Sequence, residues 1–126
     1  MRAEGHDIRA LGYQEDAVFY ALMRRAAVFV FPSRMEGFGL PPLEAMRLGV
    51  PTVVSDAGAL PEVCADAALA VSPDDAEGLA QALARLLRSK EERWAWAERG
   101  RARAAGFTWA RCAQATLEAY RIALGA

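Results

Sequence analysis

The sequence predicts a doubly wound α/β fold built on a parallel sheet, incomplete and followed by a helical C-terminal region. Three observations point there. Residues 27–31 form an unbroken apolar run and Thr52–Ser55 a β-branched one, as in strands covered on both faces. Helical patterns lie between such runs, and strands joined through helices pair in parallel with right-handed crossovers. A bend containing Gly37 and Gly39 follows the first run and opens a helix. Backbone amides and a helix start placed there face a ligand beyond the carboxyl edge of the sheet.

The elements are expected in this order. Residues 7–11 are a short strand candidate ended by Gly12. Residues 15–25 read as a helix, with Ala17, Val18, Leu22 and Ala26 on one face, acids early and Arg24 and Arg25 late, as the helix dipole prefers. Residues 27–31 form the next strand. Residues 42–48 form a short helix, which Gly49 stops and Pro51 cannot extend. Thr52–Ser55 is a strand, residues 60–64 a brief turn or helix, and residues 68–71 a last strand. Three helices follow. Asp74 and Glu77 make a capping box ahead of a stripe of Leu79, Leu83, Leu86 and Leu87. Ser89 and Glu92 repeat that signal before a helix over 94–105. Thr108 caps the final helix, where Phe107 is placed to staple onto Cys112 and Trp109, Ala113, Thr116, Leu117, Tyr120 and Leu124 share a face.

Composition narrows the function. The 126 residues suit one domain with one core, and 54% hydrophobic content excludes disorder. Fifteen basic and 16 acidic residues give a net charge of −1, which argues against a nucleic-acid platform. No apolar run approaches the ~20 residues of a membrane span, and the first residues lack the apolar core of a signal peptide. Two cysteines are too few for a zinc cluster or disulfide framework. Cys64 and Cys112 are expected as small core residues in a reducing compartment, the cytoplasm. Trp94, Trp96 and Trp109 are expected as packing anchors, and the single histidine, His6, as a solvated residue near a terminus.

The chemistry concentrates in the bend. Glu36 and Glu44 are separated by seven residues, with Gly37, Phe38, Gly39 and Leu40 between them and then Pro41 and Pro42. The prolines bring no N–H to the first helical turn, so the amides open to a ligand are mainly those of residues 37–40. Glycine removes the Cβ that would keep a phosphate away. Donors of this kind suit a diphosphate, and carboxylates on either side add acceptors for sugar hydroxyls. Glu44 leans back toward the helix start, where it can accept from a ribose diol. It can equally be an acid that merely complements the helix dipole, and Glu36 can be a solvated loop acid. The whole segment reads as a nucleotide-sugar site.

At these residues the chain resembles the retaining GT-B glycosyltransferases of group 1 (family 4), whose hallmark is two glutamates separated by seven residues. The likeness runs from Phe31, Pro32 and Ser33 through Glu36, Gly37, Phe38, Gly39, Leu40 and Pro41 to Glu44, Ala45 and Met46. It continues through Gly49 to Val54, Leu60 to Val63, Phe107 to Trp109, and Tyr120 with Arg121. The resemblance implies the C-terminal, donor-binding half of a two-domain enzyme, with the acceptor domain absent. It implies that Glu36 contacts the transferred sugar, that Phe38, Gly39 and Leu40 present amides to sugar hydroxyls and the distal phosphate, and that Glu44 holds the ribose. Gly12 and Tyr13 would lie near the base. It implies no cofactor and no metal. It also implies a basic pair that neutralises the diphosphate; no match for that pair precedes Glu36, where Arg34 is the nearest basic residue in sequence. This chain alone is therefore expected to be a weak or inactive transferase. The strands that remain are expected to leave open edges that favour a homodimer or strand exchange, and the last helix to expose apolar surface. A non-catalytic nucleotide-sugar module and a structural remnant of a truncated gene are the other readings. The sequence identifies neither base, sugar nor acceptor.

Overall fold

The computed structural model of the protein describes residues 7–125. His6 lies outside them. Three short strands, β1 (Phe29–Phe31), β2 (Thr52–Ser55) and β3 (Leu69–Val71), form one sheet in the order β1-β2-β3. Both pairings are parallel, with Val30 opposite Val53 and Val54 opposite Ala70. All three strands therefore end at the same edge. Six α-helices surround them: α1 (Asp16–Arg25), α2 (Leu40–Arg47), α3 (Leu60–Cys64), α4 (Ala76–Arg88), α5 (Lys90–Ala105) and α6 (Trp109–Leu124).

The strand side chains alternate between the two faces. Val54 enters a cluster with Leu43 and Met46 of α2 and Leu60, Val63 and Cys64 of α3. Its neighbour Val53 points the other way, toward the side where α4 lies against β2 and β3. Helices on both faces make the sheet doubly wound. Both valines are almost wholly buried, as are Thr52 and Ser55, which is why β2 reads as a continuous apolar and β-branched run. Helix α5 closes the first face over α2. It comes close because residue 100 is glycine: a Cβ there would sit 3.1 Å from Met46 Cγ.

Several expectations hold and several do not. Strand β2 has the predicted bounds, and β1 is shorter than 27–31 because only three residues find partners on β2. Helix α2 starts at Leu40 rather than residue 42, since Gly39 already caps it with a left-handed φ of 96°. Gly49 ends it, with φ 75° and Val50 N–H donating to the Ala45 carbonyl. Residues 7–11 form no strand: among the described residues they have no sheet partner, Ile8 and Leu11 stay exposed, and Arg9 pairs locally with Asp7. Helix α1 buries Met23, with Ala26 beside it in a second cluster around Ala45 and Val50, while Val18 and Leu22 face outward. The cap of α4 is Asp75, whose carboxylate accepts from Gly78 N–H, one residue after the predicted Asp74. Ser89 and Thr108 cap α5 and α6 as expected. Along α4, Leu86 is buried and Leu87 is exposed.

The C-terminal region corrects the packing roles. No residue of α6 is buried. Trp109 is 83% exposed and Trp94 69%, so neither anchors packing among the described residues. Trp96 is half-buried and carries Arg99 over its ring. Cys112 is exposed rather than in the core, whereas Cys64 is buried as predicted.

Leu60 is fully buried between α2, α3 and the sheet. Leu60→Ala is expected to lower unfolding stability by about 2–5 kcal/mol, measured as a shift of the urea midpoint at constant slope.

Candidate functional site

The bend after β1 is held from three sides. From the β2 side, Ala59 N–H donates to the Glu36 carbonyl at 3.1 Å. Gly58 makes that approach possible. It has φ 60°, and a Cβ there would lie 2.8 Å from Glu36 N. From beneath, Leu60 presses against the helix start: a Cβ on Gly39 would lie 2.6 Å from Leu60 Cδ2. Glycine at 39 thus answers both a left-handed φ and a lack of room. From the α5 side, Phe107 meets the Phe38 ring edge-on at 6.0 Å, and Arg103 lies over the Phe107 ring. The Arg103 guanidinium donates to the carbonyls of Glu62 (2.7 Å) and Val63 (2.9 Å), satisfying the end of α3. Phe107 therefore supports both the bend and the core.

On its outer side the bend is open. Gly37, Phe38 and Leu40 are exposed. A Cβ on Gly37 would meet nothing within 4 Å, so space rather than packing surrounds it. Among the described residues, the amides of Gly37, Phe38, Gly39 and Leu40 donate to no backbone or side-chain acceptor. Unpaired donors clustered at the positive end of a helix bind anions. Ser33, just ahead, is fixed by the buried Ser55, whose hydroxyl donates to the Ser33 carbonyl, while Ser33 Oγ donates to the Met35 carbonyl.

Glu36 is half-buried at the start of the bend. Glu44 lies one turn into α2 and is also half-buried. The Tyr20 hydroxyl, on α1, donates to Glu44 Oε1 at 2.7 Å. That hydrogen bond and the adjacent negative charge raise the Tyr20 phenol above its ordinary pKa. Sequence reasoning missed Tyr20, because it stands alone on an outward helix face 24 positions from its partner. Tyr13 is 92% exposed.

A separate cleft of about 320 Å³ opens at the same sheet edge, lined by Pro32, Arg34, Ser55, Ser72, Asp74 and Leu79 among others. None of the six predicted site residues lines it. Arg34 turns to this cleft and forms an ion pair with Asp74, so its charge is engaged away from the amides of the bend. Asp56 and Glu62 are exposed. The backbone N–H of Asp56 donates to the Val71 carbonyl at 3.0 Å, and Glu62 contributes its carbonyl to Arg103. Among the described residues no group of three His, Cys, Asp or Glu gathers as metal ligands, and no helix is long and apolar enough to cross a membrane.

Comparison with known proteins gives a consistent set. The model of the family described as "Glycosyl transferases group 1" matches residues 3–103. An O-antigen chain mannosyltransferase B of Escherichia coli is 42% identical over 115 residues, covering 91% of this chain and 30% of that protein. An MMP alpha-(1->4)-mannosyltransferase of Mycolicibacterium hassiacum is 42% identical over 113 residues, covering 86% of this chain and 28% of that protein. Among solved structures, sucrose-phosphate synthase from Thermosynechococcus elongatus superposes with a TM-score of 0.72 at 34% identity, over 86% of this chain and 27% of that one. The chain thus spans under a third of the length of these relatives.

The cysteines give a test of the packing around the bend. Burial pushes the Cys64 thiol up to about 11, partly offset by Arg103. Its thiol is therefore protonated at pH 8, and a maleimide or iodoacetamide is expected to label Cys112 alone in native protein, with Cys64 reacting only after denaturation. A raised folded-state pKa means that the folded form holds its proton longer than the unfolded one, so this group's contribution to stability is lost as pH rises from about 9 through 11. Mass mapping of labelled peptides checks the first statement and urea midpoints across that range the second.

Proposed function

The chain belongs to the group 1 glycosyl transferases, and we propose that it supplies the donor-binding part of a GT-B enzyme that moves a hexosyl group from a nucleoside diphosphate to an acceptor hydroxyl. The observation that carries this reading is the run of unpaired amides from Gly37 to Leu40, on the exposed Gly37, Phe38 and Leu40 and the buried Gly39, flanked by Glu36 and Glu44. The distal phosphate and the sugar hydroxyls take the amides, Glu36 faces the transferred sugar, and Glu44 takes the ribose. The names of two relatives make mannose the first sugar to test.

In the proposed reaction the bond from the anomeric carbon to the diphosphate oxygen breaks as the acceptor oxygen bonds to the same carbon. Attack on the face the leaving group vacates retains configuration. The acceptor proton passes to the departing phosphate oxygen, and Glu36 stabilises the oxocarbenium-like transition state. The carboxylate-spacing rule of glycosidases does not apply to this route. No metal and no cofactor is assigned a role. The acceptor site is proposed to lie outside this chain, which spans under a third of its relatives. The free cysteines Cys64 and Cys112 suit a cytoplasmic setting.

By itself the chain is expected to bind donor and turn it over slowly, since Arg34, the basic residue just ahead of Glu36 in sequence, is paired with Asp74. Losing one such electrostatic element commonly costs about 10²–10³ in rate. In calorimetry with GDP-mannose, UDP-glucose and ADP-glucose, one of the three is expected to bind. Glu44→Gln weakens it about 10- to 100-fold, the worth of a charge-assisted hydrogen bond. Glu36→Gln weakens the sugar nucleotide more than the bare nucleoside diphosphate. Failure of all three to bind would remove this reading. Strand β1 pairs only with β2 among the described residues, and its free edge is proposed to pair with a second copy. Light scattering is expected to show a dimer, and a monomer across a wide concentration range rules out that pairing.

A further inference from the structure

Met23 is the one buried residue of α1, and it shares a small cluster with Ala45 of α2. That contact brings α1 to α2 at this point. Tyr20 lies one turn before Met23, and Glu44 immediately precedes Ala45, so the same contact brings the phenol over the carboxylate. Phe19 meets the Tyr20 ring edge-on at 5.6 Å. The result is the 2.7 Å hydrogen bond from Tyr20 to Glu44 Oε1.

The surroundings of Glu44 are unusual for a helix acid. Among the described residues no Lys or Arg pairs with it. Among the described residues its one hydrogen-bonding partner is a neutral phenol on Oε1, and Oε2 accepts nothing. An ionised carboxylate has about four acceptor positions, and Tyr20 occupies one. A free glutamate also loses rotamer freedom when a ligand fixes it. Here the Tyr20 hydroxyl already restrains it.

We propose that Tyr20 is a positioning residue for the donor's ribose: it holds Glu44 Oε1 so that Oε2 stands ready to accept from the vicinal hydroxyls of a ribonucleoside diphosphate. This rests on the donor-site reading above and adds to it a residue and a selectivity. The tied carboxylate discriminates a ribonucleotide from its 2′-deoxy counterpart, and Tyr20 sharpens that discrimination without touching the sugar.

The test measures binding of UDP, GDP and ADP and their 2′-deoxy forms to the wild-type chain, Tyr20→Phe and Glu44→Gln, with helicity by circular dichroism confirming that the variants fold. For the nucleotide that binds best, Tyr20→Phe is expected to weaken the ribo form about fivefold, the loss of roughly one hydrogen bond. The 2′-deoxy form, which offers Glu44 only its 3′-hydroxyl, weakens less, so the ratio between them narrows. A spectrophotometric titration supplies a readout without ligand: Glu44→Gln is expected to lower the ionisation midpoint of Tyr20, identified by its loss in Tyr20→Phe. Equal weakening of ribo and 2′-deoxy forms would show a merely structural contact and overturn the proposal, as would no change in either or an unmoved midpoint. If Glu44→Gln loses ribose selectivity while Tyr20→Phe keeps it, the positioning role falls and the donor site stands. If no nucleotide binds the wild-type chain, both fall together.

Discussion

The structure depends on one close approach, the turn after β2 lying against the backbone of Glu36. Ala59 donates to the Glu36 carbonyl, and Gly58 leaves no room for a side chain between them. Two loops that leave neighbouring parallel strands are thereby joined at the edge where ligands of such sheets sit. The bend from Glu36 to Leu40 cannot fold back onto the protein, because that side is filled by Gly58, Leu60 and the Phe38–Phe107 pair. Its amides are left without acceptors among the described residues. The same packing that stabilises the core leaves the amides of the bend unpaired.

Much of this was legible in the chain. The β-branched segment Thr52–Ser55 appears as a strand with its predicted ends because both of its faces are covered. The capping signals of Ser89 and Thr108 are local, and they hold. Failures occur where tertiary context decides. Residues 7–11 have the composition of a strand but no partner among the described residues. The apolar residues of α1 mark two faces, and only contact with Ala45 selects Met23 over Val18 and Leu22. Trp109 and Cys112 sit on a helix with an apolar stripe, yet α6 buries none of it.

The candidate site divides in the same way. Glycine at 37 and 39 could be read as a demand for space, and the structure supplies a separate reason for each. Gly37 borders open space, while Gly39 combines a positive φ with contact against Leu60. The contribution of Phe107 came from sequence as a helix staple and from structure as a support for Phe38. Tyr20 had no sequence signal, because a lone tyrosine on an outward face carries no pattern until α1 is placed on α2. The cleft beside Arg34 and Asp74 was also unannounced, since its walls come from all three strand ends and α4. Membership of the group 1 glycosyl transferases covers nearly all of the fold described here and under a third of the length of the relatives compared. It gives the bend a family context, while the physical case for the bend rests on its own backbone.

The most direct measurement is an amide-resolved NMR titration of the ¹⁵N-labelled chain with whichever sugar nucleotide binds. The account predicts that the resonances of Gly37, Phe38, Gly39 and Leu40 shift first and most, as their free N–H groups acquire phosphate and hydroxyl acceptors. Shifts centred instead on Arg34, Ser72 and Asp74, with those four amides unmoved, would contradict it.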